Sequence, residues 1–105
     1  MTTTTNRMKN TDAIRLSTII QRNEAKFLAN KLGEEMVMMN MENGDFITMN
    51  NVGADIWELT NEPITVSELI IKLLNLYNTT GPQCEVETID FLNHASKQKI
   101  FTFIQ

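Results

Sequence analysis

The stretch GEEMVMMNMENGDFITMN, residues 33–50, decides how the rest of the chain is read. It opens with an apolar run at residues 36–39, turns at Asn43-Gly44 and resumes at Phe46-Ile47. Asn-Gly between apolar runs signals a hairpin, because both central residues of a type I′ turn need positive φ. The expected strands are therefore residues 35–41 and 45–49, with FLANKL, residues 27–32, as a strand before them and a turn at Gly33-Glu34. A two-residue loop sets Met41 against Phe46, Asn40 against Ile47 and Met39 against Thr48. That register also places Glu42 against Asp45, a small like-charge cost that leaves a longer loop open.

Three helices follow. Asn50 or Asn51 caps the first, with Val52, Ile56 and Leu59 at helical spacing and Trp57 beside them. Thr65-Val66-Ser67-Glu68 is a capping box, and Ile64 and Leu69 stand where a hydrophobic staple needs them. Val66, Leu69, Ile70, Leu73, Leu74 and Tyr77 form a wide apolar face, which places this second helix deep in the core. Gly81-Pro82 breaks the chain, and a third helix is expected from about Cys84 to Gln98. Its apolar positions are flanked by Glu87, Asp90, His94 and Lys97. The apolar end, IFTFIQ, is read as a short strand or as a seal under the core. Thr18 to Ile20 is read as a short extended lead-in.

Strands before helices, with hairpins joining the strands, give an antiparallel sheet with helices on one face. The expected fold is a small α+β, winged-helix-like domain: a three-stranded antiparallel sheet followed by three helices. At 105 residues the chain is one domain. Residues 1–17, with a threonine run and little periodicity, are expected as a mobile tail ahead of a domain at 18–105.

Composition narrows the function. The net charge of -4 argues against partners chosen for negative charge, so nucleic acid and anionic membranes are poor fits. A single cysteine, Cys84, excludes an internal disulfide and a Cys-pair zinc site. The polar N-terminus lacks the apolar segment of a secretory signal, and no run approaches a membrane span, so a cytoplasmic location is expected. Catalysis needs converging polar groups, and few are on offer. Cys84 and His94 lie ten residues apart on one expected helix, about 15 Å along its axis at ~1.5 Å per residue. Asp90 and His94 make an i, i+4 pair with no third metal ligand in view. The lone glycines form no phosphate loop. Neither a cofactor nor a metal is expected.

A DNA-binding regulator is the rival that a winged-helix outline invites. Between Thr65 and Gln98, however, the only basic residues are Lys72 and Lys97, against Glu68, Glu85, Glu87 and Asp90. A recognition helix needs base-reading side chains in a basic surround, and this one would repel a duplex. A peptide is a better guest. Both faces of residues 36–39 are apolar where strict alternation would bury one, and flexible thioethers suit a surface that adapts to apolar partners. A strand at residues 45–49 on the sheet's edge would offer unpaired backbone groups to a peptide that adds itself as a further strand and rests on the third helix.

The segments GEEMVMMNMENGDFITMNNVGADIWEL, PITVSELIIKLLNLY and ETIDFLNHASKQKI resemble the PqqD family. The shared elements are Met39-Asn40, Asn43-Gly44, Phe46-Ile47, Met49-Asn50, Gly53-Ala54-Asp55-Ile56-Trp57, the helix start at Thr65 to Leu69, and Phe91-Leu92. The resemblance covers roughly residues 20–101, about four-fifths of the chain. Three positions depart from the family pattern: Met49 for leucine, Ala95 for a larger aliphatic and Lys99 for a helix-ending glycine. The resemblance implies a non-catalytic recognition element that binds the leader of a ribosomally made, modified peptide (the precursor of pyrroloquinoline quinone or of another product). It would present that leader to a modifying enzyme, often a radical S-adenosylmethionine enzyme. The resemblance also implies that the leader pairs with the third strand and packs on the third helix. The expected contacts are Asp45, Phe46, Ile47, Thr48 and Met49 on the strand, with Asp90, His94 and Lys97 on the helix. A monomer or homodimer is expected, with no nucleic acid and no membrane as partner.

Overall fold

A computed structural model describes residues 13–105. The three expected strands form as β2 (Phe27–Leu32), β3 (Glu35–Asn40) and β4 (Phe46–Met49). They make one antiparallel sheet in the order β2-β3-β4. The helices follow as α1 (Asn51–Leu59), α2 (Val66–Leu76) and α3 (Gly81–Ser96), so the chain is α+β as expected. A second three-stranded sheet is added beyond that expectation. It pairs β1 (Ile19–Arg22) with β5 (Ile64–Thr65) on one side and β6 (Phe101–Ile104) on the other. The extended lead-in and the apolar end thus find each other. Thr18, fully buried, seals the junction: its Oγ1 donates to Gln105 Oε1 at 2.7 Å and accepts from the Arg15 N–H at 2.8 Å.

The expected tail falls mostly on residues 1–12, outside the described residues. Of the remainder, Ile14 packs against the core and the Leu16 carbonyl accepts from the Ser67 N–H at 3.0 Å.

Two expectations are corrected. The hairpin register is Met39–Phe46, Met38–Ile47, Val37–Thr48 and Met36–Met49, a slide of two residues along β3 from the one a two-residue loop gives. The loop is four residues, 41–44, closed by Asn40 N–H to Asp45 O at 2.8 Å. Gly44, at φ 80, has positive φ and Asn43 does not, so a type I′ turn is not formed. Asn43 instead uses its side-chain oxygen to accept from the Asp45 N–H, and Asn40 does the same for Glu42, each at 2.9 Å. These local bonds compete with a tight turn. The longer loop frees Glu42 to meet Lys26 at 3.3 Å, and it leaves Met41, expected at the end of a strand, 48% exposed.

The second correction concerns α3, which begins at Gly81 and not near Cys84. Thr80 caps it, accepting from Gln83 N at 3.3 Å, and Pro82 sits in the first turn. Proline breaks a helix interior but suits its first turn, where an N–H has no partner anyway. The other caps are as read: Asn50 accepts from Gly53 N at 3.0 Å, and the Thr65–Glu68 box is reciprocal at 3.1 and 3.3 Å.

The core lies between the inner face of β2-β3-β4, the helices and the second sheet. Met36, Met38 and Met49 enter it with Ile56, Trp57, Leu69, Leu92 and Phe101. Trp57, Phe101 and Phe91 form a relay of tilted rings at 6.1 and 6.2 Å between centroids, and the Arg22 guanidinium covers Trp57 at 5.2 Å. Such tilted contacts favour edge-to-face attraction and add to plain burial. Among the described residues no helix is long and apolar enough to cross a membrane.

Candidate functional site

β4 has a partner on one side only: β3 pairs with it, and no described strand covers its other edge. Backbone direction alternates along an antiparallel strand. Asp45 O accepts from Asn40 N across the pair, so positions 45, 47 and 49 bond to β3. The N–H and C=O groups of Phe46 and Thr48 therefore point to the open side. Side chains alternate as well. Met49 is buried, Ile47 is half-buried against the core, and Phe46 and Thr48 are exposed.

A groove runs between this edge and α3. Its middle, about 270 Å³, is walled by Ile47, Thr48, Met49 and Asn50 on one side and by Phe91, His94, Ala95 and Gln98 on the other, with Ile100 at one end. Sharing Ile47 and Gln98 with it, a second hollow of about 260 Å³ brings Asp45 together with Lys26, Lys97 and Lys99. Past Phe91 a third, about 250 Å³, is lined by Val52, Ile56, Leu73 and Tyr77, with Cys84 at its wall. Phe91 is shared between the middle and the third. Gly53 sets how close α1 comes to this wall. A Cβ there would stand 3.1 Å from Met49 Cβ and 3.3 Å from Phe91 Cε1.

Of the expected contacts, the structure thus gathers Asp45, Ile47, Thr48, Met49, His94 and Lys97 along one groove. Phe46 lies on the same strand but points to the sheet's outer face. Asp90 lines none of the three hollows. Its carbonyl oxygen is 2.9 Å and its carboxylate 3.7 Å from His94 Nδ1, so it holds the imidazole. Of the expected helix residues, His94 and Lys97 line the groove and Asp90 does not, while Phe91, Ala95 and Gln98 line it as well and were not among those expected. The pattern that finds them is the apolar one, since Phe91, Ala95 and Gln98 recur at four and three residues. Cys84 is buried and His94 exposed, and they do not meet.

Tyr77 carries the one resolved acid–base perturbation among the described residues. Burial comes first, then the hydrogen bond its hydroxyl donates to Asp55 and the charges of Asp55 and Glu34, and together they push it up to about 12. All of these favour the neutral phenol. It remains a donor, locking α1 to the end of α2 at the floor of the third hollow.

An open strand edge beside a partly apolar groove matches the geometry in which a sheet accepts an extended segment. The family described as Coenzyme PQQ synthesis protein D (PqqD) matches residues 35–100, well over half of the chain, including the whole of β4 and the middle of the groove. The chain belongs to the PqqD family. A similar solved structure is "TbiB1 in Complex with the TbiA(beta) Leader Peptide", with a TM-score of 0.69 and 20% identity, covering 77% of this chain and 93% of that one. At that identity the likeness concerns the fold, and it holds over nearly the whole of the other chain. No curated relative matches. In this PqqD-family chain the two departures noted near the C-terminus become structural facts. Ala95 is buried in the groove wall, and Lys99 takes φ 61, the left-handed conformation that a glycine adopts freely.

Proposed function

We propose that this PqqD-family protein is a non-catalytic adaptor. It binds the leader segment of a ribosomally made precursor peptide and presents it to a modifying enzyme, of the radical S-adenosylmethionine class. The leader lies along β4 as a fourth strand, bonded to the outward N–H and C=O groups of Phe46 and Thr48. Its inward side chains rest between Ile47 and Met49 and the Phe91, His94 and Gln98 stripe, and its end nearer Asp45 meets Lys97. The observation that carries this reading is the open edge of β4 aligned with the groove along α3. Membership of the family and the fold shared with a leader-peptide complex support it.

The energetics are sufficient. A micromolar complex needs about 8 kcal/mol net. Main-chain bonds at about 1 kcal/mol each and a few buried side chains at about 2 kcal/mol each reach that figure after ordering costs. The test is a titration of the isotope-labelled chain with leader peptides of ribosomally made, modified peptides, followed through backbone amides. Shifts should concentrate at residues 46–50 and 91–98. Shifts confined to the second sheet, or none at all, would defeat the proposal.

A further inference from the structure

We propose that the docked peptide is read on both faces of the sheet, with the outward reader being the row Leu28–Met39–Phe46. This inference rests on strand addition at β4 and goes beyond it. Cross-strand partners share a face, and the register aligns Leu28 with Met39 and Met39 with Phe46. This outer row is apolar throughout and unfilled: Leu28 is 59% exposed and Phe46 71%. It borders a shallow depression of about 400 Å³ that also takes in Leu32 and Val37. The neighbouring row, Asn30–Val37–Thr48, is polar at both ends. Only the first row is apolar right up to the open edge.

A strand laid beside β4 continues both rows by one residue. Its residue paired with Phe46 points outward, next to the phenyl ring, while its neighbours in sequence point inward to the α3 groove. The occupant of that outward place is an aromatic or large aliphatic side chain of the peptide. Such a residue covers the end of the row, and a polar one leaves Phe46 wet. A second copy of the chain is a weaker fit. The exposed part of this row with Leu32 is on the order of 400 Å², taking 150–250 Å² for a whole aromatic side chain. That is about half of the ~800 Å² per partner usual in a stable interface.

The test uses the full chain and a display library of ten-residue peptides randomised at every position. Peptides selected on the natural chain are placed in register by amide contacts to β4. The expected result is enrichment of aromatic or large aliphatic residues at the position paired with Phe46. Phe46→Ser should lose that preference and bind a selected peptide about tenfold more weakly. N-methylating the peptide residue opposite Thr48 should abolish binding to both chains without touching the protein. If Phe46→Ser leaves preference and affinity unchanged while N-methylation abolishes binding, the outward reader is wrong and strand addition stands. If N-methylation is without effect, or no selected peptide pairs with β4, strand addition fails and this inference with it. Should Phe46→Ser change only the sedimentation of the peptide-free chain, the row serves self-association and the proposal falls.

Discussion

Lys99 holds a backbone conformation that L-residues avoid, and it does so to turn the chain from α3 into β6. Its φ of 61 puts Cβ against its own backbone. Ile100 N–H then reaches back to the Ala95 carbonyl at 3.4 Å, and the Lys99 carbonyl accepts from Asn23 Nδ2 at 3.0 Å. Lys99→Gly should therefore raise stability by about 1 kcal/mol, seen as a higher urea midpoint at unchanged slope. Tyr77 gives a second prediction at this scale. Its folded value of about 12 exceeds the ordinary 10.0, so the neutral phenol's contribution is complete below pH 10 and is lost as pH rises toward 12. Urea melts of the natural chain should weaken across that window, and Tyr77→Phe should flatten this part of the profile. The position of Lys99 was legible in the sequence because the family pattern places a glycine there. The Tyr77–Asp55 bond was not, since the partners lie 22 residues apart and nothing local pairs them.

At the scale of the element, β4 is pinned on one side and free on the other. Proline at position 48 removes an N–H that points away from β3, and its φ suits an extended strand. Thr48→Pro should keep the thermal midpoint within a few degrees while lowering affinity for a leader peptide more than tenfold, measured by calorimetric titration. A fall in affinity of less than twofold would show that the edge is not used. Strand and helix identities came straight from alternation, capping residues and 3.6-residue spacing. The errors lay where one local signal had two outcomes. Asn43-Gly44 reads as a tight turn, yet Asn40 and Asn43 used their side chains to build a wider one. Gly81-Pro82 reads as a break, yet Thr80 turned it into a helix start. On α3 the charged flank pointed to His94 and Lys97, which line the groove, and also to Asp90, which does not, while Phe91, Ala95 and Gln98 beside them were not named.

Across the whole molecule, the two sheets share no strand, and aromatic packing ties the second of them to the helices. Phe101, 3% exposed on β6, contacts both Trp57 of α1 and Phe91 of the groove wall. Phe101→Ala should lower stability by about 3–5 kcal/mol. It should also loosen Phe91, so peptide affinity should fall even under conditions where the variant remains folded, as judged by near-ultraviolet circular dichroism. Undiminished affinity in the folded variant would show that the groove wall stands without the second sheet. That sheet was only half legible. The extended character of Ile19-Ile20 and the alternation of IFTFIQ were visible, but their pairing joins residues about 80 positions apart, which no local pattern encodes.

The four-residue loop between β3 and β4 has one more consequence. Because side chains alternate with a period of two, a slide of β4 along β3 by a pair of residues would keep Ile47 and Met49 toward the helices and Phe46 and Thr48 toward solvent. A slide of that pairing by one residue would swap the two sets, sinking a phenyl ring and a hydroxyl where two aliphatic chains now sit. The tip can therefore change length freely so long as the Asn40–Asp45 closure and the pairs behind it hold, whereas a one-residue shift of the pairing would have to be offset by a bulge in one of the two strands.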